Sequence, residues 1–501
     1  VSEGPDRGAT VDAAPLARVA SDGLVYLLAA LLGRALGLVM VPVYTHRLGP
    51  ADYGVLELLN TVDLVVIAAF SAPLADPVYR HVHDAPDARS RDAIIATALL
   101  AVAAAGAVTA LLGVALAPAL ARALFGDAGR AELLALTFAA VTFQAVTEVP
   151  LAVRRGAGEA RSAARWALAR TALGLGCNLA LIVGAGLGVR GAALATLAAS
   201  AVIAVALSVD TLRRTGLRFE PAALARMLRF GWPLLPGALA LTVLGRSRAF
   251  ALNARGTPAE VGVWALGYGF GALLVAVLGH PLRVAWTAHM YRVWDAPDGL
   301  GPARYRRGGT WLVAALAWGA AALTAFAPEL TRWMAPPAFA AAALVTPAVA
   351  WGYVLRELAE YFRNGLLVAR RPRAIAVVEP GLAAVDVALG WALVARAGLA
   401  GAAATSVLVF GLYALAMHAA ARRALPVGYA YGPMLACAGL GLGLGLAGWW
   451  VRTGVTALDV GVKLALVATV PLAQLRWVLR EPDDRAVLAA LRARGLRAVG
   501  R

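Results

Sequence analysis

Long apolar stretches recur along the chain, separated by short polar gaps, and arginine collects in every second gap. The segment 23–43 is apolar apart from Arg34, and comparable runs continue as far as Trp477. Each run is close to the ~20 residues that carry an α-helix across ~30 Å of hydrocarbon. The pattern predicts about fourteen membrane-spanning helices, near 23–45, 54–77, 93–119, 131–153, 164–184, 187–208, 230–252, 262–285, 309–327, 337–355, 374–395, 398–419, 429–450 and 456–478. The least apolar are 54–77, which carries Glu57, Asp63 and Asp76, and 164–184, which starts in an arginine-rich segment.

The gaps alternate in charge. The N-terminal segment has Arg7 and Arg18, the second gap Arg80, Arg89 and Arg91, and the fourth Arg154, Arg155, Arg161 and Arg165. The sixth, eighth and tenth gaps hold four or five arginines each, the twelfth holds Arg422 and Arg423, and the tail runs from Arg480 through Arg501. Odd gaps hold one or two arginines each, among them Arg47, Arg332 and Arg452. The positive-inside rule then predicts a multi-pass protein of the plasma (inner) membrane with both termini cytoplasmic.

Composition sharpens the class. Hydrophobic residues make up 61% of the 501 residues and charged residues 15%, with a mean hydropathy of +0.72. That is too little polar surface to cover a soluble protein of this size, so lipid must replace water around most of it. The net charge of +17 would suit nucleic acid. It is parcelled into short loops, however, where anionic headgroups account for it, and no nucleic-acid partner is expected. Cys177 and Cys437 both fall in apolar spans and read as small hydrophobes. Residues 1–22 are polar and precede a full span, so the first span is expected to serve as an uncleaved insertion signal.

Two internal matches group the spans. Leu48–Val55 reads LGPADYGV and Gly256–Val263 reads GTPAEVGV, with the shared Pro, Ala, acid and Gly 208 positions apart. Gly188–Ala193 reads GVRGAA and Gly398–Ala403 reads GLAGAA, 210 positions apart. Six spans separate equivalent positions, so the copies enter the membrane in the same sense and form a parallel repeat. The expected architecture is therefore an all-α polytopic membrane protein of two parallel six-helix halves plus two C-terminal helices. The divisions are a cytoplasmic segment at 1–22, a first half at 23–210, a linker at 211–229, a second half at 230–420, helices thirteen and fourteen within 421–480, and a basic tail at 481–501. Gly49-Pro50 suits the end of the first span, and Asp52 is placed to cap the second.

Charges inside spans are costly and mark function or pairing. Arg34 lies in the first span, Arg246 and Arg248 in the seventh, and Arg283 near the inner end of the eighth. Guanidinium groups suit phosphate oxygens bidentately, so these four are candidates for binding an anionic headgroup in a cavity. The alternative is that each pairs with an acid in its own bundle, Arg34 with Asp63 for example, while Arg283 snorkels to the interface. Asp63, Glu148 and Asp386 are candidates for coupling to H+ or Na+, or for structural pairing. Asp459 and Lys463, spaced i,i+4, predict a local ion pair. Pro233 and Pro236 predict a bend or a broken helix at the start of the seventh span.

Nothing argues for enzyme chemistry. The GxxxxGK[ST] phosphate loop is missing, and the six histidines show no strong metal spacing, His81-x-His83 being interfacial. No metal or other cofactor is expected.

The segment from Arg34 to Leu59, RALGLVMVPVYTHRLGPADYGVLELL, resembles the opening hairpin of polysaccharide-biosynthesis flippases, which belong to the multidrug/oligosaccharidyl-lipid/polysaccharide exporter superfamily. LRFGWPLLPGAL, from Leu228 to Leu239, and VGVWALGYGFGALL, from Val261 to Leu274, resemble the start of their second half. GLGVRGAALAT and AGLAGAAATS resemble the hairpins that end the paired halves. The resemblance implies an alternating-access transporter carrying an isoprenoid-pyrophosphate-linked oligosaccharide or related anionic glycolipid from the inner to the outer leaflet for cell-surface polysaccharide synthesis. It is expected to act as a monomer among membrane lipids, with a polysaccharide polymerase or glycosyltransferase complex as candidate partner. Family members commonly carry an Asp-Arg pair in span seven. Here the matching stretch is Gly245-Arg246-Ser247-Arg248-Ala249-Phe250, which keeps the basic element and lacks the acid. The alternatives are a cation-coupled multidrug antiporter of the same architecture, with a cavity of acids and aromatics, and a non-transporting scaffold for a polysaccharide assembly complex, with every polar group internally paired.

Overall fold

The computed structural model describes residues 32–33, 36–70, 74, 76–243, 245–295, 299–371, 373–425 and 427–478. These residues contain no β-strand. The chain is an all-α polytopic membrane protein. In order the helices are α1 (36–47), α2 (Pro50–Phe70), α3 (Asp76–His83), α4 (Ala88–Phe125), α5 (Ala131–Gly156), α6 (Ala160–Asn178), α7 (Gly188–Thr215), α8 (Pro221–Gly231), α9 (Leu235–Val243) and α10 (Ser247–Arg255). They continue with α11 (Pro258–Leu274), α12 (His280–Trp294), α13 (Gly301–Met334), α14 (Ala342–Val368), α15 (Arg373–Ala424), α16 (Tyr431–Trp450) and α17 (Thr456–Ala473). Ten helical stretches among the described residues are long and apolar enough to cross a membrane. Lipid-facing side chains stay uncovered on them, as on α4, where Leu111 is 72% exposed.

By contact density the chain divides into two compact units. The first comprises Val1–Met40, Val66–Leu120 and Gly129–Leu235, and the second Val41–Val65, Ala121–Ala128 and Pro236–Arg501. The core of the first includes Ile94, Leu99, Val102, Val149 and Met227, drawn from α4, α5 and α8. Asp87 precedes α4, and its carboxylate accepts the Ser90 backbone N–H at 2.6 Å. That hydrogen bond holds the Asp87 carboxyl below the usual carboxylate range.

The repeat signatures occupy special geometry. Gly188 and Gly398 adopt φ of 53° and 50° respectively, the left-handed region that favours glycine. Gly398 splits α15 into two arms, 373–397 and 399–424. The arms touch at once: a Cβ on Gly401 would lie 2.1 Å from the Leu393 carbonyl oxygen. At the equivalent place in the first copy, a Cβ on Gly191 would lie 2.9 Å from the Leu181 carbonyl oxygen. Spans eleven and twelve are thus one hairpin, closed by the glycine-alanine motif.

The other signature produces a reciprocal contact inside the second unit. A Cβ on Gly54 would stand 1.8 Å from the Pro258 carbonyl oxygen, and one on Gly262 would stand 2.0 Å from the Pro50 carbonyl oxygen. The first turns of α2 and α11 therefore cross backbone to backbone, each glycine against the proline that begins the other helix. Thr257 and Glu260 form a capping box at the start of α11. Asp52, expected as a cap, lies inside the first turn of α2 because that helix begins at Pro50. Its charge there complements the positive end of the helix dipole.

The last two helices dock on α13. Gly441, Gly445 and Gly448 of α16 face Ala317, Ala321 and Ala325, with Cβ positions 2.6–3.0 Å from the nearest atoms. Small residues at this spacing let two helices approach closely without polar groups. The predicted Asp459–Lys463 pair does not form. Lys463 is fully buried and donates to Glu329 Oε1 of α13 at 2.6 Å, while Asp459 accepts the backbone N–H and hydroxyl of Thr453. Burial explains the choice, because a sealed ammonium needs a partner out of water and Asp459 remains in it.

Gly54→Ala is expected to lower stability by about 1–3 kcal/mol, as over-packing does where the obstacle is backbone. Gly443→Ala, where nothing stands within 4 Å of the added Cβ, is the matched control and should leave stability unchanged or slightly raised. The thermal unfolding midpoint in detergent measures both.

Candidate functional site

The seventh span is interrupted. A single 3-10 turn, Trp232–Leu234, holds Pro233 between α8 and α9. The break itself comes later, at Gly245, where φ is +85°. It presents Arg246 and Arg248 to different surroundings, since residues two apart lie on opposite sides of a helical turn.

Arg248 is sealed. Its Nη2 donates to Asp386 Oδ1 at 2.5 Å, and both side chains have no accessible surface. Asp386 Oδ2 accepts the Ser247 hydroxyl at 2.8 Å and the Gly245 backbone N–H at 3.0 Å. The first arm of α15 thus clamps the broken turn, and three donors satisfy the carboxylate. Arg248, expected to line a cavity with Arg246, is a buried anchor in this structure, and Asp386 is its partner.

Arg246 points the other way. Its Nη1 donates to Glu57 Oε1 of α2 at 2.6 Å, and its guanidinium lies 5.5 Å from the Tyr268 ring centroid. A line of contacts continues from there. The Tyr268 and Tyr353 hydroxyls are 2.6 Å apart, and Arg356 lies 5.8 Å from the Tyr353 ring. Arg356 approaches Glu357 Oε1 at 3.5 Å, and Arg283 donates to both Glu357 oxygens at 2.7 and 3.0 Å. Beside this line, Arg363 donates to Glu379 at 2.9 Å, and the Tyr413 hydroxyl reaches Glu379 and Glu360.

One asymmetry runs through the set. The arginine side chains at 246, 283, 356 and 363 are 28%, 27%, 29% and 31% exposed, whereas Glu57, Glu357, Glu360 and Glu379 are 15%, 1%, 17% and 15% exposed. Each cation is the more accessible member, with its acid behind it. A cavity of about 480 Å³ at one end of this line is lined by Arg283, Glu357, Glu360, Trp286, Trp311 and Asn364, among others.

Of the residues singled out in the sequence, Arg246 and Arg283 enter this network. Glu148 lies in the first unit, within 3.7 Å of Arg155 and 3.6 Å of Arg170. Asp63 is half-buried on α2, and Arg34 lies outside the described residues. No cluster of metal-ligating side chains occurs among the described residues. Arg356, Glu357, Glu360 and their neighbours escaped notice because the tenth span was expected to stop at 355, leaving them in a basic loop. α14 instead continues to Val368. The signal was present: Tyr353, Arg356, Glu357, Glu360, Tyr361 and Asn364 repeat at helical spacing and mark one polar stripe.

The sequence profile of a family described as polysaccharide biosynthesis protein matches residues 47–329, more than half of the chain. The chain belongs to this family. Among solved structures, one described as the lipid II flippase MurJ in an inward closed conformation is similar at a TM-score of 0.75 and 9% identity, over 91% of this chain and 100% of that one. A multidrug resistance MATE family transporter of the MOP superfamily, inward-facing, is similar at 0.64 and 17% identity, over 78% and 94%. A MATE structure in the straight conformation gives 0.57 and 16%, over 81% and 95%. At these identities the likeness establishes the fold. Curated protein sequences give no match.

The buried pair makes a sharp expectation for this family member. Arg248→Met or Asp386→Leu alone should each cost about 3–5 kcal/mol by stranding a buried charge, while the double variant should recover most of the loss. A double-mutant cycle on thermal midpoints measures the coupling.

Proposed function

We propose that this protein is a flippase that moves an isoprenoid-pyrophosphate-linked oligosaccharide or a related anionic glycolipid from the inner to the outer leaflet, by alternating access of its two repeated halves, 23–210 and 230–420. Membership of a polysaccharide-biosynthesis family supports the pathway, and the fold shared with a lipid II flippase supports the mode of action. The reading further has both termini in the cytoplasm, a monomer as the working unit, and a polymerase or glycosyltransferase complex as the partner that receives the lifted glycan.

The observation that carries it is the row of partly exposed guanidiniums, each backed by a less accessible carboxylate. With no substrate present, the acids neutralise charges that would be costly at membrane depth. A pyrophosphate offers oxygens that the same guanidiniums can take up bidentately, so the headgroup exchanges one set of acceptors for another. Arg246 and Arg283 are the binding residues within this proposal. Tyr268, Tyr353 and Arg356 join them, and the aromatic cavity beside Arg283 offers ring faces to the sugars. The same balance weighs against a drug-cation antiporter, since the accessible charge here is cationic.

Translocation of a labelled isoprenoid-pyrophosphate oligosaccharide in vesicles carrying the purified protein tests the proposal. Arg246→Gln and Arg283→Gln should each reduce transport by about tenfold or more, the worth of a charge-assisted hydrogen bond of about 1.5–3 kcal/mol. No protein-dependent crossing for a panel of such lipids would overturn the assignment, and full transport by both variants would overturn the binding role of Arg246 and Arg283.

A further inference from the structure

Arginine is scarce in the odd gaps, yet two of these sparse residues meet. Arg332 lies in the last turn of α13 and Arg452 follows α16, and both line one cavity of about 450 Å³ with Thr331, Leu344 and Trp449. No carboxylate lines it. Neither guanidinium makes an ion pair or hydrogen bond among the described residues. The nearby acids are committed elsewhere: Glu329 to the buried Lys463, and Asp459, which feels Arg332 electrostatically, to Thr453.

The surroundings are those of a membrane boundary. Trp333, Leu344, Trp450, Val455 and Leu458 are each more than half exposed, which places large apolar side chains around the cavity where lipid meets water. Two guanidiniums from separate connections, over an apolar floor and with no carboxylate in the cavity to pair with, call for an external anion attached to something apolar. A phosphate presents oxygens to both guanidiniums.

We propose that this cavity binds the phosphate headgroup of an anionic membrane lipid, Arg332 and Arg452 holding the phosphate oxygens while Leu344 and Trp449 meet the glycerol and upper acyl region. The site is separate from the row of arginines between α10 and α14 and does not depend on which molecule the protein transports. Its residues come from α13, α14 and the α16–α17 connection, so an occupying lipid would tie the docked C-terminal hairpin to the rest of the second unit.

Native mass spectrometry of the full chain, released from neutral detergent micelles doped with phosphatidylglycerol, reads the site directly. The wild-type protein should retain one more phosphatidylglycerol than Arg332→Gln/Arg452→Gln, with at least a tenfold weaker apparent affinity in the variant. The charge-matched control Arg422→Gln/Arg423→Gln should keep that lipid. Ala340→Trp, which fills the cavity and preserves both charges, should lose it. Phosphatidylcholine should be retained equally by all four proteins, and millimolar inorganic phosphate should leave the count unchanged. Equal phosphatidylglycerol retention by wild type, the double variant and the filled variant would overturn the site. Displacement by inorganic phosphate alone would overturn the lipid as its occupant.

Discussion

Much of the second unit is positioned by one contact, the backbone crossing of α2 and α11 at Gly54 and Gly262. Backbones approach this closely only where neither helix carries a Cβ, and the two glycines are repeat equivalents. Glu57 follows Gly54 by one turn and is thereby held at the depth where Arg246 leaves the broken seventh span. Tyr268 follows Gly262 on α11 and faces the same guanidinium. A wider crossing would part Glu57 from Arg246 and open the row of polar contacts at its first member. The crossing is reciprocal: each helix presents its glycine to the proline that begins the other.

Low dielectric then decides which charges are available. Arg248 and Asp386 have no accessible surface and satisfy each other with help from Ser247 and Gly245, so they fix backbone geometry. Arg246, Arg283, Arg356 and Arg363 keep a quarter to a third of their surface and have their acids behind them. Two arginines separated by one serine thus take opposite parts. Their spacing divides them: in the turn that follows Gly245, residues two apart face opposite sides, one inward against α15 and the other toward α2.

Much of this was legible beforehand. Spacing and loop charge marked the helices, and the glycine-bearing motifs marked the repeat because tight turns and close crossings restrict residue choice to glycine. What the sequence hid was partnership. Asp459 and Lys463 have the spacing of a local pair, but spacing says nothing about burial, and Lys463 turned to Glu329. Arg246 and Arg248 looked equivalent because the sequence does not show which side of their turn packs against Asp386. The charged end of α14 read as a loop because membrane hydropathy sees only apolar content, whereas its polar residues continue a helix that lines protein.

The appended hairpin carries its own chemical reporter. Lys463 is the chain's only lysine, and its ammonium is fully sealed between α17 and α13. Arginine side chains do not react with acylating reagents selective for amines, so such a reagent meets no reactive side chain while the hairpin is seated. Labelling at Lys463 therefore times the parting of α17 from α13, and it does so in the natural chain without an introduced probe.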